Sequence, residues 1–304
     1  MREHQSSGFH TFPLLYDGHS SMPPSVGRPT GRRLITSTEW RRYFELNALS
    51  EREIPWELGA DAPAAELERI LPSLRGWQLG ETSDGHHLLA AARNYAQKVN
   101  DPGFLDAVRL FIREEQRHGE NLGRFLDLAG VPRARFDWGD WLFRSVRYFL
   151  PSMEVWATPV VMIETHAMIY YNAIRRATSS RVLQAICRQI LSDEVPHIRF
   201  QSERLAILHG GRSRWLLALT RLGQIVQFTL ITLAVWVGHH RALKAGGYSF
   251  PHFWRAVWGR MRHAWRMMIP VSPFSARSNQ PAVLSASKST TTSTTSGKSV
   301  RSDD

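Results

Sequence analysis

The sequence has a single cysteine, Cys187, among its 304 residues. One cysteine excludes an intramolecular disulfide and is typical of proteins in a reducing compartment. Residues 1–30 also lack the continuous apolar segment that a secretory signal peptide requires. We therefore expect a cytoplasmic protein.

Acidic residues are missing from a long C-terminal part of the sequence. No Asp or Glu lies between Glu203 and Asp303, whereas 13 Lys and Arg residues lie between Arg212 and Arg301. This basic segment favours attraction to anionic lipid that weakens with salt, which would place the protein peripherally at a membrane. No nucleic-acid-binding module is recognisable, so nucleic acid is not an expected partner.

The period-two alternation that marks β-strands is also lacking. Apolar residues instead recur three and four positions apart, which predicts an all-α protein. Four long helices, A to D, are predicted at residues 72–99, 101–129, 151–177 and 181–208. Two short helices precede them, one capped by Thr38 and one over residues 63–71.

Composition and periodicity together divide the chain into five segments. The two ends are polar or low in complexity and cannot offset the entropy of ordering, so we expect them to be disordered. The predicted segments are a disordered arm (1–35), a short helical lead-in (36–71), a helical bundle (72–210), a basic apolar helical extension (211–270) and a disordered Ser/Thr-rich tail (271–304).

A Glu-x-x-His motif occurs in two of the long helices. Helix B carries Glu115 and His118, and helix D carries Glu194 and His197, each pair inside the apolar stripe of its helix. Unpaired charge is costly to bury, and a carboxylate and an imidazole three residues apart share one helix face, where they can bind one metal ion. Pro196 interrupts the second motif and predicts a bend or bulge there.

Each motif has an acidic residue about 30 positions upstream, on the preceding helix. Glu164 lies 30 residues before Glu194, and Asp84 lies 31 residues before Glu115. Antiparallel helices joined by a short turn bring such positions side by side. Glu81 lies one turn from Asp84 on the same face; hairpin symmetry favours Asp84 and side-chain reach favours Glu81, so both remain candidates.

This ligand pattern resembles that of ferritin-like di-iron carboxylate proteins over residues 72–210. The resemblance implies a ferritin-like four-helix bundle with a long crossover between helices B and C, preceded by short helices and followed by one or two extra C-terminal helices. It implies two iron ions, or iron with manganese, bridged by Glu115 and Glu194. The implied ligands are Glu81 or Asp84, Glu115, His118, Glu164, Glu194 and His197, with the two histidines terminal.

Three functional interpretations follow from the resemblance. The first is an oxidoreductase that activates O2 or peroxide and uses an organic substrate and an electron donor, both unknown. The second is a non-enzymatic, ferroxidase-like iron-handling protein. The third is a scaffold that keeps a ferritin-like core and uses its C-terminal segment at a membrane surface or in a homo-oligomer. An apolar pocket that leads to the metals would favour the first.

The C-terminal segment predicts two more helices. Residues 215–237 are strongly apolar, but Arg221, Gln224 and Gln227 argue against a membrane span. The following stretch, "FPHFWRAVWGRMRHAWRMM", interleaves aromatic residues with Arg, as helices at a membrane surface do. Packing on the bundle, oligomerisation and membrane-surface contact all remain open for this segment.

Overall fold

The computed structural model of the protein describes residues 33–83, 85–137 and 152–271. Within these residues the chain is all-helical, as predicted, and contains no strand. Trp56–Leu58 form a short 3-10 helix. The α-helices are α1 (Ser37–Asn47), α2 (Ala64–Glu81), α3 (His86–Val99), α4 (Pro102–Leu128), α5 (Met153–Ala177), α6 (Arg181–Leu208), α7 (Arg214–Ala245) and α8 (Phe250–Met267).

The first helix begins slightly earlier than predicted. Its cap is Thr36 and not Thr38: the Thr36 hydroxyl accepts from the Glu39 backbone N–H, and the Glu39 carboxylate accepts from the Thr36 backbone N–H. This reciprocal pair satisfies two backbone donors that a helix end leaves unpaired. The α1 helix packs against α4 and buries Trp40 and Phe44.

The prediction that helix A is one continuous helix starting at Pro72 is wrong. The helix begins at Ala64, contains Pro72, ends at Glu81, and is followed by a separate α3. Gly85 precedes α3 with a φ of +66°, a conformation that glycine adopts without strain. The predicted segment boundary at residue 72 therefore falls inside α2. The predicted arm and tail lie almost entirely outside the described residues.

Helix α4 is flanked by antiparallel neighbours on two sides. It contacts α6 through two residue pairs, Glu114 with His197 and His118 with Asp193. The residue number rises along α4 as it falls along α6, so the two helices are antiparallel. On its other side, α3 runs antiparallel to α4, and the end of α2 contacts α4 at Gly119. Since α5 and α6 are joined by only three residues, α4 and α5 must run parallel. Residues 138–151, most of the predicted crossover, lie outside the described residues.

Helix α6 has the bounds that the sequence predicts, 181–208. It remains α-helical through Pro196, so the predicted bulge is not formed there. Helix α5 lies against α6, α7 and α8, and most of its residues are buried. The site described next lies where α5 and α6 face α2 and α4.

Candidate metal centre

Side chains from α2, α4, α5 and α6 converge in what we call the carboxylate-histidine cluster. Its members are Glu81, Glu115, His118, Glu164, Glu194 and His197. One group of ligand atoms comes from Glu115, Glu164, Glu194 and His197, and a second from Glu81, Glu115 and His118. Within each group the atoms all lie within 4.8 Å of one another, and Glu115 belongs to both groups. A cluster of this composition can hold metal ions.

Several polar atoms in the cluster are buried without a hydrogen-bond partner among the described residues. They are Glu115 Oε1, His118 Nδ1, both oxygens of Glu164, Glu194 Oε2 and His197 Nδ1. Buried polar atoms are nearly always hydrogen-bonded, and each one left alone costs about 1–3 kcal/mol. His197 Nδ1 lies only 2.7 Å from Glu115 Oε1, which is ion-pair distance when the imidazole is protonated. These converging oxygen and nitrogen atoms could all act as ligands of a shared metal cation.

Both cluster histidines are held from outside by a carboxylate of the opposite helix. His118 Nε2 on α4 donates to Asp193 Oδ2 on α6 at 2.9 Å, and His197 Nε2 on α6 donates to Glu114 Oε2 on α4 at 2.8 Å. A carboxylate can only accept, so Nε2 carries the proton and Nδ1 is directed to the cluster. Such partners fix the ring orientation of metal-binding histidines.

Asn47 of α1 joins these two outer carboxylates. Its Nδ2 donates to Glu114 Oε1 at 2.7 Å and to Asp193 Oδ1 at 3.0 Å. Sequence reasoning missed Glu114 and Asn47. The signal for Glu114 was present, because both motifs read acid-Glu-x-x-His. Nothing in the sequence pattern points to Asn47, which the packing of α1 brings into place.

We expect Asp193→Asn to weaken metal binding about 10–100-fold, because an amide cannot fix the His118 tautomer as a carboxylate does. The measurement is a competitive titration with a chelator that reports metal affinity. Asp106→Asn, on the exposed side of α4, is the matched control and should bind like the wild type. Unchanged affinity in Asp193→Asn would show that Asp193 is only a structural partner.

Glu81 is the helix A candidate that the structure places in the cluster. It is only 8% exposed, and its Oε1 accepts a 2.7 Å hydrogen bond from the Tyr171 hydroxyl of α5. Asp84 lies outside the described residues. The symmetry that favoured Asp84 assumed one continuous helix, and the break between α2 and α3 removes that assumption.

The end of α2 reaches the cluster because α4 has a glycine opposite it. A Cβ at Gly119 would lie 2.7 Å from Thr82 Cγ2 and 3.1 Å from the Glu81 backbone carbon. Gln78 also donates to the Gly119 carbonyl oxygen across this contact. The absence of a side chain at Gly119 therefore sets how deeply Glu81 enters the cluster.

Gly119→Ala is expected to push the end of α2 outward and to lower the amount of bound metal, without unfolding the chain. Gly80→Ala is the matched control, because a Cβ there meets nothing within 4 Å. Alanine favours a helix over glycine by about 1 kcal/mol, so the control should be slightly more stable. Metal analysis and melting temperature of both variants test this; equal metal content in both would contradict it.

The pKa values of the cluster follow from burial and crowding. Burial and the carboxylates of Glu115 and Glu194 raise the pKa of Glu81 well above its ordinary value. Burial and Glu194 do the same for the pKa of Glu164. Burial alone would raise the pKa of Glu115, but His197 and His118 hold it at about 2. The pKa of His197 is in turn raised well above its ordinary value, against burial, mainly by Glu115 and Glu114.

A large cavity adjoins the cluster. Its volume is about 930 Å³, and it reaches the carboxylates of Glu81, Glu115, Glu164 and Glu194. The remaining wall is mostly apolar and comes from α2, α3, α4, α5 and α7. Pockets that hold small ligands typically measure about 300–1,000 Å³ and combine apolar walls with a few polar groups. The cavity is thus large enough for an organic molecule to approach the cluster.

No protein-family profile, no curated protein and no solved structure matches this chain. What the chain does is therefore inferred from its own cluster and cavity. The buried carboxylates and imidazoles can bind metal ions.

Proposed function

We propose that this chain is a di-iron carboxylate protein, or one that holds iron with manganese, and that it acts as an oxidoreductase on O2 or peroxide. Helices α4, α5 and α6, with α2 and α3 in succession as the fourth member, would form a ferritin-like four-helix bundle. The parallel direction of α4 and α5 agrees with this arrangement. The substrate and the electron donor are not assigned.

One observation carries the proposal. Six side chains from four helices converge on adjoining positions, five of them with buried ligand atoms that have no hydrogen-bond partner, and Glu115 belongs to both groups of ligand atoms. Two overlapping groups that share a carboxylate are suited to two adjacent metal ions. The donors are four carboxylates and two imidazoles, with no thiolate among them, a set that suits iron or manganese.

The residues of the chain have separate tasks in this function. Asp193 and Glu114 keep the proton on Nε2 of the two imidazoles, so Nδ1 of each ring is the atom that loses its proton when a metal binds. Glu164 and Glu194 supply negative charge from a nearly water-free position. Bound iron would supply the redox chemistry. The apolar walls of the cavity limit access of water.

The cavity favours an oxidoreductase over the iron-handling alternative. A ferroxidase-like protein needs a path for ions, whereas this cavity is lined mainly by apolar side chains up to the carboxylates. An organic molecule in that space would contact Glu164 and Glu194 on one side and mainly apolar side chains elsewhere. The sequence alone left both alternatives open.

The test is to load the purified full-length chain anaerobically with Fe(II) and then to add O2. We expect about two ions per chain and a new absorption band after O2 addition. The same loading with Mn(II) present distinguishes a mixed site by the ratio of the two metals. A chain that takes up no iron, and whose melting temperature stays unchanged, would refute the proposal. Iron that enters and is released as a mineral would support the ferroxidase alternative instead.

A further inference from the structure

Helix α7 presents a continuous apolar stripe to its exposed side. Its members recur at intervals of three and four residues: Trp215, Leu219, Leu222, Val226, Leu230, Leu233 and Val237. Trp215 is 87% exposed, and Leu219 and Val237 are each 66% exposed. The stripe runs about 33 Å at 1.5 Å per residue. Exposed apolar patches of this extent are uncommon on surfaces that face only water.

Three polar residues in the middle of α7 lie away from the stripe. Gln224 is buried, Gln227 lines the cavity, and the Arg221 guanidinium lies 4.5 Å from the ring centre of Trp265 in α8. By length and composition α7 could cross a membrane. It is nevertheless packed along its inner side against α2, α5 and α8, so its apolar side is one face and not its whole circumference.

Helix α8 adds positive charge beside the stripe. It contacts α7 through Trp258 and Trp265, which pack on Phe228. Arg255, Arg262 and Arg266 recur along its exposed side, and helical geometry puts them next to those tryptophans. No acidic residue occurs in the sequence between Glu203 and Asp303 to offset this charge. An apolar stripe with a basic border is complementary to a surface of anionic lipid.

The cavity lies along the opposite border of the stripe. Leu219, Leu222, Val226 and Leu230 belong to both the stripe and the cavity wall. Ile231 and Ala234 continue that wall inward on the side of α7 away from α8. A continuous apolar surface therefore leads from the exposed face of α7 to the carboxylates of the cluster.

We propose that the stripe of α7 and the arginines of α8 dock on an anionic membrane surface, and that the cavity takes the hydrocarbon chain of an amphiphile from that membrane. The stripe would lie in the membrane plane, because the neighbouring α8 exposes charged residues that a span would bury. The substrate class, a long-chain amphiphile, rests on the proposed function; the docking and the chain binding do not.

Docking is tested by flotation of the full-length chain with phosphatidylcholine vesicles, with or without about 30% phosphatidylglycerol. We expect binding mainly to the anionic vesicles and a loss as salt rises from about 50 to about 500 mM. Leu222→Glu with Val226→Glu should weaken binding about tenfold or more. Leu46→Glu with Leu49→Glu places the same two charges on leucines that are 51% and 85% exposed in another part of the chain, and this control should bind like the wild type.

A double variant and its matched control test the basic border, which consists of Arg255, Arg262 and Arg266 of α8. Arg262→Ala with Arg266→Ala should weaken binding to anionic vesicles about tenfold and flatten its salt dependence. Arg93→Ala with Arg113→Ala removes two exposed arginines from α3 and α4 and should change neither. Equal flotation of the stripe variants and the wild type would overturn docking. A lipid-free dimer that the stripe variants dissociate, without vesicle binding, would overturn it in favour of a second copy of the chain.

Chain binding is tested with dansyl-undecanoic acid on metal-free protein, displaced by alcohols from hexanol to hexadecanol. We expect affinity to rise with chain length, by about threefold or more per added pair of methylenes. Ala234→Phe and Val160→Phe fill the cavity from two different helices and should each weaken binding. Affinity that is independent of chain length and of both variants would overturn the cavity assignment. Failure of iron loading with intact chain binding would refute only the proposed function.

Discussion

Replacing Glu115 by Ala is expected to remove both metal ions from the chain, whereas replacing Glu164 by Ala should leave about one. The difference follows from the geometry, because Glu115 belongs to both groups of ligand atoms and Glu164 to only one. Metal content by mass spectrometry or elemental analysis, measured after loading and desalting, decides between these outcomes. The gain in melting temperature on loading should vanish in Glu115→Ala and shrink in Glu164→Ala.

Two further variants serve as controls for this comparison. Glu115→Gln keeps the shape of the side chain and should also lose both ions, which separates lost ligation from lost packing. Glu120→Ala changes an exposed glutamate on the same helix and should keep full metal content. If Glu115→Ala and Glu164→Ala lost the same amount of metal, Glu115 would not be the shared ligand.

The metal-free chain is expected to lose stability as the pH rises from about 6.5 to 8.5, by roughly 5 °C in melting temperature. The pKa values of Glu81, Glu164, His118 and His197 are raised in the folded chain. A group with a raised pKa stabilises the fold below its unfolded pKa, and that contribution is lost as the pH rises through the folded value. Groups with lowered pKa values oppose this trend only in part, because Glu115, with a pKa of about 2, does not titrate in this window. His166 and His239, each with a folded pKa of about 4, oppose it only up to about pH 7.5, where the unfolded histidines have lost their protons.

Bound metal should reverse the trend, because metal ions compete with protons for the same ligand atoms. Thermal unfolding with a chelator and with saturating metal, at several pH values, measures both slopes. Glu164→Gln removes one buried like charge, so it should raise the metal-free melting temperature at pH about 8.5 and yet weaken metal binding. A metal-free chain that becomes more stable between pH about 6.5 and 8.5 would contradict the crowding of charge in the cluster.

The sequence alone predicted most of the long helices and the polar residues that lie in their apolar stripes. The bounds of α6 coincide with the prediction, because an apolar period of 3.6 ends there at clear polar breaks. Glu115, His118, Glu164, Glu194 and His197 were selected because each lies in an apolar stripe, and the structure brings them together with Glu81. Their role as metal ligands stays a prediction.

The errors arise where local signals compete with periodicity. The stretch "TSDG" at residues 82–85 is a turn signal, but the apolar stripe on both sides suggested one helix through it. The contact of Asn47 with Glu114 and Asp193, and the cavity bounded by α7, depend on how distant segments pack. Periodicity within one helix carries no information about such contacts.

The sequence distance between the cluster members has a consequence for biosynthesis. The cluster joins Glu81 to His197, and Asn47 connects its outer carboxylates from still further upstream. These contacts can form only after α6 has left the ribosome, and contacts between such distant positions form late and slowly in folding. Under the proposed function, metal ions would bind only after these helices have paired. Until then, the newly made protein would carry its cluster without metal, and we expect it to be more open to proteolysis than the metal-bound protein.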